Sequence, residues 1–138
     1  MPPLEDIPEE GVITFPEGVP GLTSSTRFVI MRPEDMDPIL VLQNVEDENV
    51  SLPLIPVHAV IRDYSLKLSG RDREVLGLSS GAEQSRLLCL AVLILPGARR
   101  PAACNLFAPL VINPATLLAK QVAQLSSDYP SLHSLGGE

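Results

Sequence analysis

The side chains that could do chemistry in this chain are few and widely separated. Its two histidines are His58 and His133, and its two cysteines are Cys89 and Cys104. Zinc sites need several such ligands at close spacing, so we predict neither a metal centre nor a cofactor. Both cysteines lie in apolar runs and are predicted to be buried, without a disulfide in a reducing cytosol. His58 is predicted to lie on the polar side of a strand.

Motifs for nucleophilic catalysis and phosphate binding are also missing. The chain has no Gly-x-Ser-x-Gly elbow, no Gly-x-Gly-x-x-Gly and no P-loop. A Ser/His/Asp triad could still assemble in space, because its members need not be neighbours in sequence. Glu46, Asp47 and Glu48 could bind calcium or transfer protons, but calcium loops need a longer, alternating ligand set. We therefore predict a protein without catalytic residues.

Charge is distributed unevenly along the chain, whose net charge is −7. The first 61 residues hold eleven acidic residues against two arginines, a net charge of −9, and the remainder carries +2. An acidic protein repels the phosphate backbone, so we expect no direct binding to RNA or DNA. A basic protein partner, or competition with nucleic acid for one, fits this charge. The alternative is a solvated acidic face that keeps the protein soluble.

Length and composition indicate one globular domain over residues 1–138. Hydrophobic residues make up 45% of the chain, with 3 Phe and no Trp, so the core must be aliphatic. The first six residues are acidic and Pro-rich, unlike a signal peptide, and the longest apolar run is half a membrane span. We expect no membrane contact and a cytoplasmic location. Residues 1–10 read as a loose lead-in and 126–138 as a loop-like tail.

Short apolar stretches separated by Pro, Gly and charged residues predict an all-β, mainly antiparallel fold. We predict a barrel or sandwich in which Glu46, Asp47 and Glu48 form a hairpin tip, and Pro53 marks an edge or bulge. Ser69 and Asp72 form a capping-box pattern that begins one short helix. Gly77 can end this helix, and Gly18 and Gly21 can adopt positive φ in a turn-rich loop at 16–21. The predicted strands span residues 12–15, 28–31, 39–45, 50–55, 65–68, 86–95 and 102–112.

Residues 113–125 are ambiguous on local rules. Asn113 and Pro114 could be the N-cap and first residue of a helix, and the following residues have high helix propensity. Local rules therefore favour a helix at 116–125, although a strand remains open. Asn105 and Asn113 flank an apolar strand, and we expect their side chains to fasten neighbouring backbone unless a strand edge exposes them to a partner.

The order and spacing of several motifs resemble the flagellar assembly factor FliW family. The resemblance runs from about residue 11 to residue 135. Its motifs lie at residues 15–21 (FPEGVPG), 27–29 (RFV), 42–47 (LQNVED), 63–64 (DY), 76–78 (LGL), 105–114 (NLFAPLVINP), 120–122 (KQV), 129–130 (YP) and His133. The chain departs from the family at residues 57–62, where the family tends to have aromatic residues, and at 133–135, where it often has His-Pro.

The resemblance implies a small β-barrel-like domain without enzyme activity. It places the Asn-Pro pair at 113–114 in a hairpin turn and residues 120–122 in a strand, and we adopt this reading. It implies two partners, flagellin before export and the RNA-binding translational repressor CsrA. Flagellin would occupy the protein until export, after which the free protein would bind CsrA and relieve repression of flagellin synthesis. Our candidate partner-binding residues are Gln43, Asn44, Val45, Glu46, Asp47, Glu48 and Asn105.

Two other functions remain open from the sequence. The protein could be a secretion chaperone that binds flagellin alone. It could also be an enzyme or flavin-binding protein on a small split barrel, which would need a cleft with phosphate-binding arginines.

Overall fold

A computed structural model describes residues 11–19, 26–78 and 86–135. The predicted lead-in at 1–10, Gly21 and the predicted loop at 79–82 lie outside the described residues.

The described residues form nine strands and two short helices. In chain order these are β1 (Ile13–Thr14), β2 (Arg27–Met31), β3 (Leu40–Asn44), β4 (Ser51–Pro56), α1 (Val57–Val60), α2 (Gly70–Val75), β5 (Leu88–Ile94), β6 (Ala103–Cys104), β7 (Leu110–Asn113), β8 (Leu118–Gln121) and β9 (His133–Ser134). No helix in these ranges is long and apolar enough to cross a membrane.

Seven strands close into a barrel in the order β1-β2-β3-β4-β5-β7-β8. All neighbours are antiparallel except β1 and β8, which run parallel and meet at Thr14 and Leu118. A small extension leaves the barrel where β6 pairs with β5 and β9 pairs with β6. The predicted all-β, mainly antiparallel barrel is confirmed. The described part of the chain holds two short helices, however, where the sequence predicted one.

The barrel interior is filled by alternate residues of its strands. The rings of Phe15 and Phe28 meet edge to face, with centroids 5.5 Å apart. Around them pack fully buried aliphatic side chains such as Leu42, Leu54 and Leu90. Each buried side chain of this size contributes about 1.5–3 kcal/mol of hydrophobic stabilisation. The other face of β5 supports a second cluster, which includes Leu76, Leu106 and Val122.

The segment after β7 is a strand, so the reading adopted from the resemblance is correct. Asn113 begins a turn in which its Oδ1 accepts from the backbone N–H of Ala115 (3.1 Å) and its Nδ2 donates to the carbonyl of Leu76 (2.8 Å). The helix that local propensity favours does not form, because β8 pairs with β7 along its whole length. Tertiary pairing here overrides propensity.

Two predicted segments differ from the structure. Residues 57–60 form helix α1, so His58 lies on a helix and not on a strand; its Nδ1 lies 3.2 Å from the carbonyl oxygen of Arg62. Residues 65–68 alternate in exposure, as predicted, but form no strand. Their backbone partner is a side chain, because Gln124 Oε1 accepts from Lys67 N–H (2.8 Å) and Gln124 Nε2 donates to the Lys67 carbonyl (2.9 Å).

The remaining strand predictions need smaller corrections. The stretch 102–112 divides into β6 and β7, and the tail at 126–135 contains β9. The predicted strand at 12–15 is reduced to β1. Pro53 lies in the first half of β4, before the pairing of β4 with β5 begins at Leu54. The strand has no β5 partner at Pro53, so the missing N–H of proline is tolerated there.

Helix α2 has the predicted capping box. Ser69 Oγ accepts from Asp72 N–H (3.1 Å), and Asp72 Oδ2 accepts from Ser69 N–H (2.8 Å). The helix ends before Gly77, whose φ of 72° is the left-handed conformation expected of a C-terminal glycine. Gly18 also has positive φ, at 75°.

Candidate partner-binding surface

The tip of the β3–β4 hairpin is shaped by the buried side chain of Asn44. Its Oδ1 accepts from the backbone N–H groups of Glu46 and Asp47, each at 2.8 Å. Its Nδ2 donates to the carbonyl of Arg27 at 3.3 Å, which ties the tip to β2. This is an Asx turn, in which an asparagine side chain replaces a backbone partner. Asn44 is therefore a positioning residue and is not itself exposed to a partner.

Gln43 and Asp47 complete the turn. Gln43 Nε2 lies 3.3 Å from the carbonyls of Asn44, Asp47 and Val50, so it reaches across the base of the loop. Asp47 Oδ1 accepts from Asn49 N–H at 2.9 Å. The loop thus has most of its polar groups bound internally, which fixes its shape before any partner arrives.

Four side chains project from this scaffold into solvent: Val45, Glu46, Asp47 and Glu48. We call these four residues the acidic tip. The salt bridges among the described residues do not involve any of its three acids. Exposed carboxylates on an internally hydrogen-bonded turn can form charge-assisted hydrogen bonds with lysine or arginine, and an apolar Val45 beside them can be covered in the same contact.

Asn105 directly follows β6. Its Oδ1 accepts from the N–H groups of Phe107 and Ala108, both at 3.0 Å, and its own N–H donates to the carbonyl of Val92 (3.0 Å). It is half-buried and shapes the turn between β6 and β7. Among the described residues, none of its hydrogen bonds leads to the acidic tip. The structure therefore joins Gln43, Asn44 and the tip in one hydrogen-bonded turn and places Asn105 in a different turn.

An ion-pair network on another face was not predicted from the sequence. Lys120 Nζ lies 3.1 Å from Asp72 Oδ1 and 3.4 Å from Glu17 Oε1. Arg71 joins Glu17 at 2.9 Å and Glu74 at 3.0 Å. The sequence signal for this network was the opposite charges of Glu17 and Lys120, in the motifs at 15–21 and 120–122. No local rule shows that these two segments meet in the fold. The network fastens α2 to β8 and to the loop after β1.

The pKa values of Asp72 and Glu17 follow from these contacts. Burial alone would raise the pKa of Asp72, but hydrogen bonds from the Ser69 backbone and from Lys120 lower it below its ordinary value of 3.8. The hydrogen bond from Arg71 is the main cause that lowers the pKa of Glu17 below 4.5. Both carboxyls are therefore ionised at neutral pH and serve as partners for cations.

A second feature that was not predicted is a pair of stacked tyrosines, Tyr64 and Tyr129, which we call the tyrosine clamp. The rings of Tyr64 and Tyr129 stack with centroids 4.2 Å apart. Tyr64 donates its hydroxyl proton to the carbonyl of Leu106 (2.5 Å), and Tyr129 Oη accepts from Ser65 N–H (2.8 Å). Burial raises the pKa of Tyr64, so its hydroxyl remains a donor. An open groove of about 490 Å³ lies beside the clamp.

The two cysteine thiols are buried and poorly suited to act as nucleophiles. Burial raises the pKa of Cys89 to about 12 and also raises the pKa of Cys104, so neither thiol ionises readily at neutral pH. Both cysteines are free and buried, as predicted. Among the residues in 11–19, 26–78 and 86–135, no three His, Cys, Asp or Glu side chains are grouped so as to hold a metal ion.

Comparison with known proteins identifies the family. Residues 4–135 match the family described as FliW protein. The chain belongs to the FliW family. It is 34% identical over 134 residues to the flagellar assembly factor FliW of Thermotoga neapolitana, covering 96% of this chain and 88% of that protein. Its identity to the Bacillus subtilis protein of the same name is 29%, covering 96% of this chain and 91% of the relative.

A solved FliW structure has the same fold. A crystal structure titled as the flagellar assembly factor FliW matches with a TM-score of 0.80 at 26% identity, covering 92% of this chain and 86% of that one. The relatives from Thermotoga neapolitana and Bacillus subtilis are both named as assembly factors and not as enzymes. The family resemblance drawn from the sequence motifs is thus confirmed.

Proposed function

We propose that this chain is a non-enzymatic flagellar assembly factor that acts in the cytoplasm by binding two proteins in turn. One partner is flagellin before export. The other is CsrA, which the flagellin-free protein binds so that repression of flagellin synthesis is relieved. Membership of the FliW family supports the link to flagellar assembly.

The observation that carries the CsrA part of this proposal is the acidic tip. A translational repressor must present a basic surface to RNA, so an acidic ligand both attracts that surface and repels RNA from it. The tip places Glu46, Asp47 and Glu48 in solvent on a turn that Asn44 and Gln43 hold in shape. The strongly acidic first 61 residues add a long-range field of the same sign.

The partner-switch proposal is tested by mixing the purified chain with CsrA and flagellin. Size-exclusion chromatography should give a complex with each protein alone. With all three present, flagellin should displace CsrA, so that no peak contains both partners. A stable ternary complex would contradict the switch.

Two other outcomes separate the remaining functions. Binding to flagellin alone, with no CsrA complex even at low salt, would identify a secretion chaperone. A yellow preparation with flavin absorbance would support the split-barrel flavin protein. Either result would replace the two-partner proposal.

A further inference from the structure

A second exposed surface has chemistry opposite to that of the acidic tip. It lies where the turn after β5 meets the strand β9. Its members are Leu95, Arg99, Arg100 and Leu132, and we call these four residues the basic patch. The turn itself is compact, because the N–H of Gly97 donates to the carbonyl of Arg100 at 3.1 Å. The patch is therefore carried by a closed turn and by Leu132, the residue just before β9, which pairs with β6.

The apolar part of the basic patch is unusually exposed. The side chains of Leu95 and Leu132 are each 61% exposed. Leu132 also lines a cavity of about 120 Å³, together with Ile94, Arg100, Pro101, Ala103 and Ser134. An isolated exposed leucine needs no explanation, but Leu132 lines a cavity with apolar walls, where a partner's side chain can be buried.

The cationic part of the patch has no partner within the described residues. Arg99 and Arg100 are exposed, and the salt bridges there use Arg71 and Lys120 as their cations. Arg100 also lines the cavity, and it lies across Gly97, where an added Cβ would meet its Nε at 3.2 Å. Its guanidinium is thus held near the opening, where it can bind a carboxylate in bidentate fashion.

We propose that the basic patch is a second docking surface, for an acidic protein segment that inserts one apolar side chain into the cavity. Arg99 and Arg100 would bind carboxylates on that segment, while Leu132 covers its apolar residue at the cavity. Charge complementarity selects this occupant. A basic segment would be repelled by Arg99 and Arg100 here and attracted to the three acids of the acidic tip. The two surfaces then sort partners by charge.

The test uses the isotopically labelled full chain and a short synthetic peptide. The peptide carries glutamates on both sides of a single leucine, with glycine and serine spacers. Two control peptides replace the leucine by serine or the glutamates by lysines. On titration, amide signals of residues 94–101 and 132–134 should shift, and each control peptide should bind at least about tenfold more weakly, a difference of about 1.4 kcal/mol.

Variants locate the contact. Leu132→Ser and the double variant Arg99→Glu/Arg100→Glu should each weaken peptide binding by about tenfold or more, and added salt should weaken binding by the wild type. Leu125→Ser and the double variant Arg62→Glu/Lys67→Glu are matched controls, because they change an exposed leucine and two exposed cations outside the patch. An unchanged amide spectrum away from the substitution shows that each variant is folded.

Three results would overturn the inference: no shifts at the patch, equal binding of the lysine peptide, or equal binding by Arg99→Glu/Arg100→Glu. A wild-type dimer in sedimentation that Leu132→Ser dissociates would also overturn it, because a second copy would then be the occupant. The peptide test contains neither CsrA nor flagellin, so its failure is distinguishable from failure of the proposed function.

Discussion

Lys120 on β8 and Asp72 on α2 form an ion pair of 3.1 Å in which both side chains are largely buried, at 18% and 12% exposure. Asp72 also closes the capping box of its helix. One carboxylate therefore satisfies the helix start with Oδ2 and anchors that helix to the barrel with Oδ1.

Replacing this lysine should destabilise the fold. Lys120→Met keeps much of the aliphatic stem but leaves Asp72 without its cation, and we expect a loss of about 1.5–3 kcal/mol, as for hydrogen bonds to charged groups. Chemical denaturation measures it. Arg71→Met is the control: Arg71 is exposed and bonded at the rim of the same network, so little change is expected. Equal effects of the two variants would show that burial of the pair is unimportant.

The contribution of Asp72 to the free energy of unfolding should fall as the pH is lowered. Its pKa in the folded chain is lowered below 3.8, so the unfolded chain takes up the proton first as the pH falls. The stabilisation is complete well above pH 3.8 and is lost as the pH falls through the folded-state pKa. The difference in unfolding free energy between wild type and Asp72→Asn should therefore be large at neutral pH and shrink in acid. A difference that grows in acid would contradict this account.

The tyrosine clamp offers a matched pair of variants. Tyr64→Phe leaves the carbonyl of the fully buried Leu106 without this donor, which should cost about 1–3 kcal/mol. Tyr129→Phe frees the N–H of exposed Ser65, which water can reach, so its cost should be clearly smaller. Thermal unfolding of both variants measures the contrast, and the reverse order would refute it.

Substitution of Gly77 should destabilise the fold, because the backbone there has a positive φ. An alanine at φ 72° is strained, and its Cβ would lie 3.1 Å from Thr116 Cγ2, so Gly77→Ala should cost about 1–2 kcal/mol. Gly70→Ala is the control, since nothing lies within 4 Å of a Cβ there and alanine favours helix. We expect it to be neutral or stabilising. Denaturant midpoints of the two variants compare them directly.

The proposed role of the acidic tip predicts an effect on binding kinetics. The isosteric triple variant Glu46→Gln/Asp47→Asn/Glu48→Gln keeps the acceptor for Asn49 but removes three charges. Association with CsrA at low salt should slow by about tenfold and lose salt dependence. The matched control removes three exposed acids of the β2–β3 loop, as Glu34→Gln/Asp35→Asn/Asp37→Asn. Unaltered CsrA kinetics in the tip variant would rule the tip out.

Local patterns predicted the features that local chemistry determines. The capping box of Ser69 and Asp72, the positive φ of Gly77 and the hairpin with its acidic tip follow from residues close in sequence. The predicted role of Asn113 in fastening backbone also holds, because its side chain bonds to Leu76 and to its own turn.

The features that were missed depend on distant partners. Lys67 has a strand-like neighbourhood, but its backbone bonds to the side chain of Gln124, which no spacing rule reveals. Local rules alone would also have missed the strand at 118–121, which has high helix propensity and forms because β7 lies beside it. The family resemblance supplied that prediction.

The parallel contact between Thr14 and Leu118 has a consequence for biosynthesis. It joins a pair separated by most of the sequence, and it is the contact that closes the ring of strands. Pairings this distant form slowly, because the intervening chain must first be brought together. During translation the ring stays open until the residues of β8 have left the ribosome. Until then the nascent chain has unpaired strand edges, which must not aggregate with other chains.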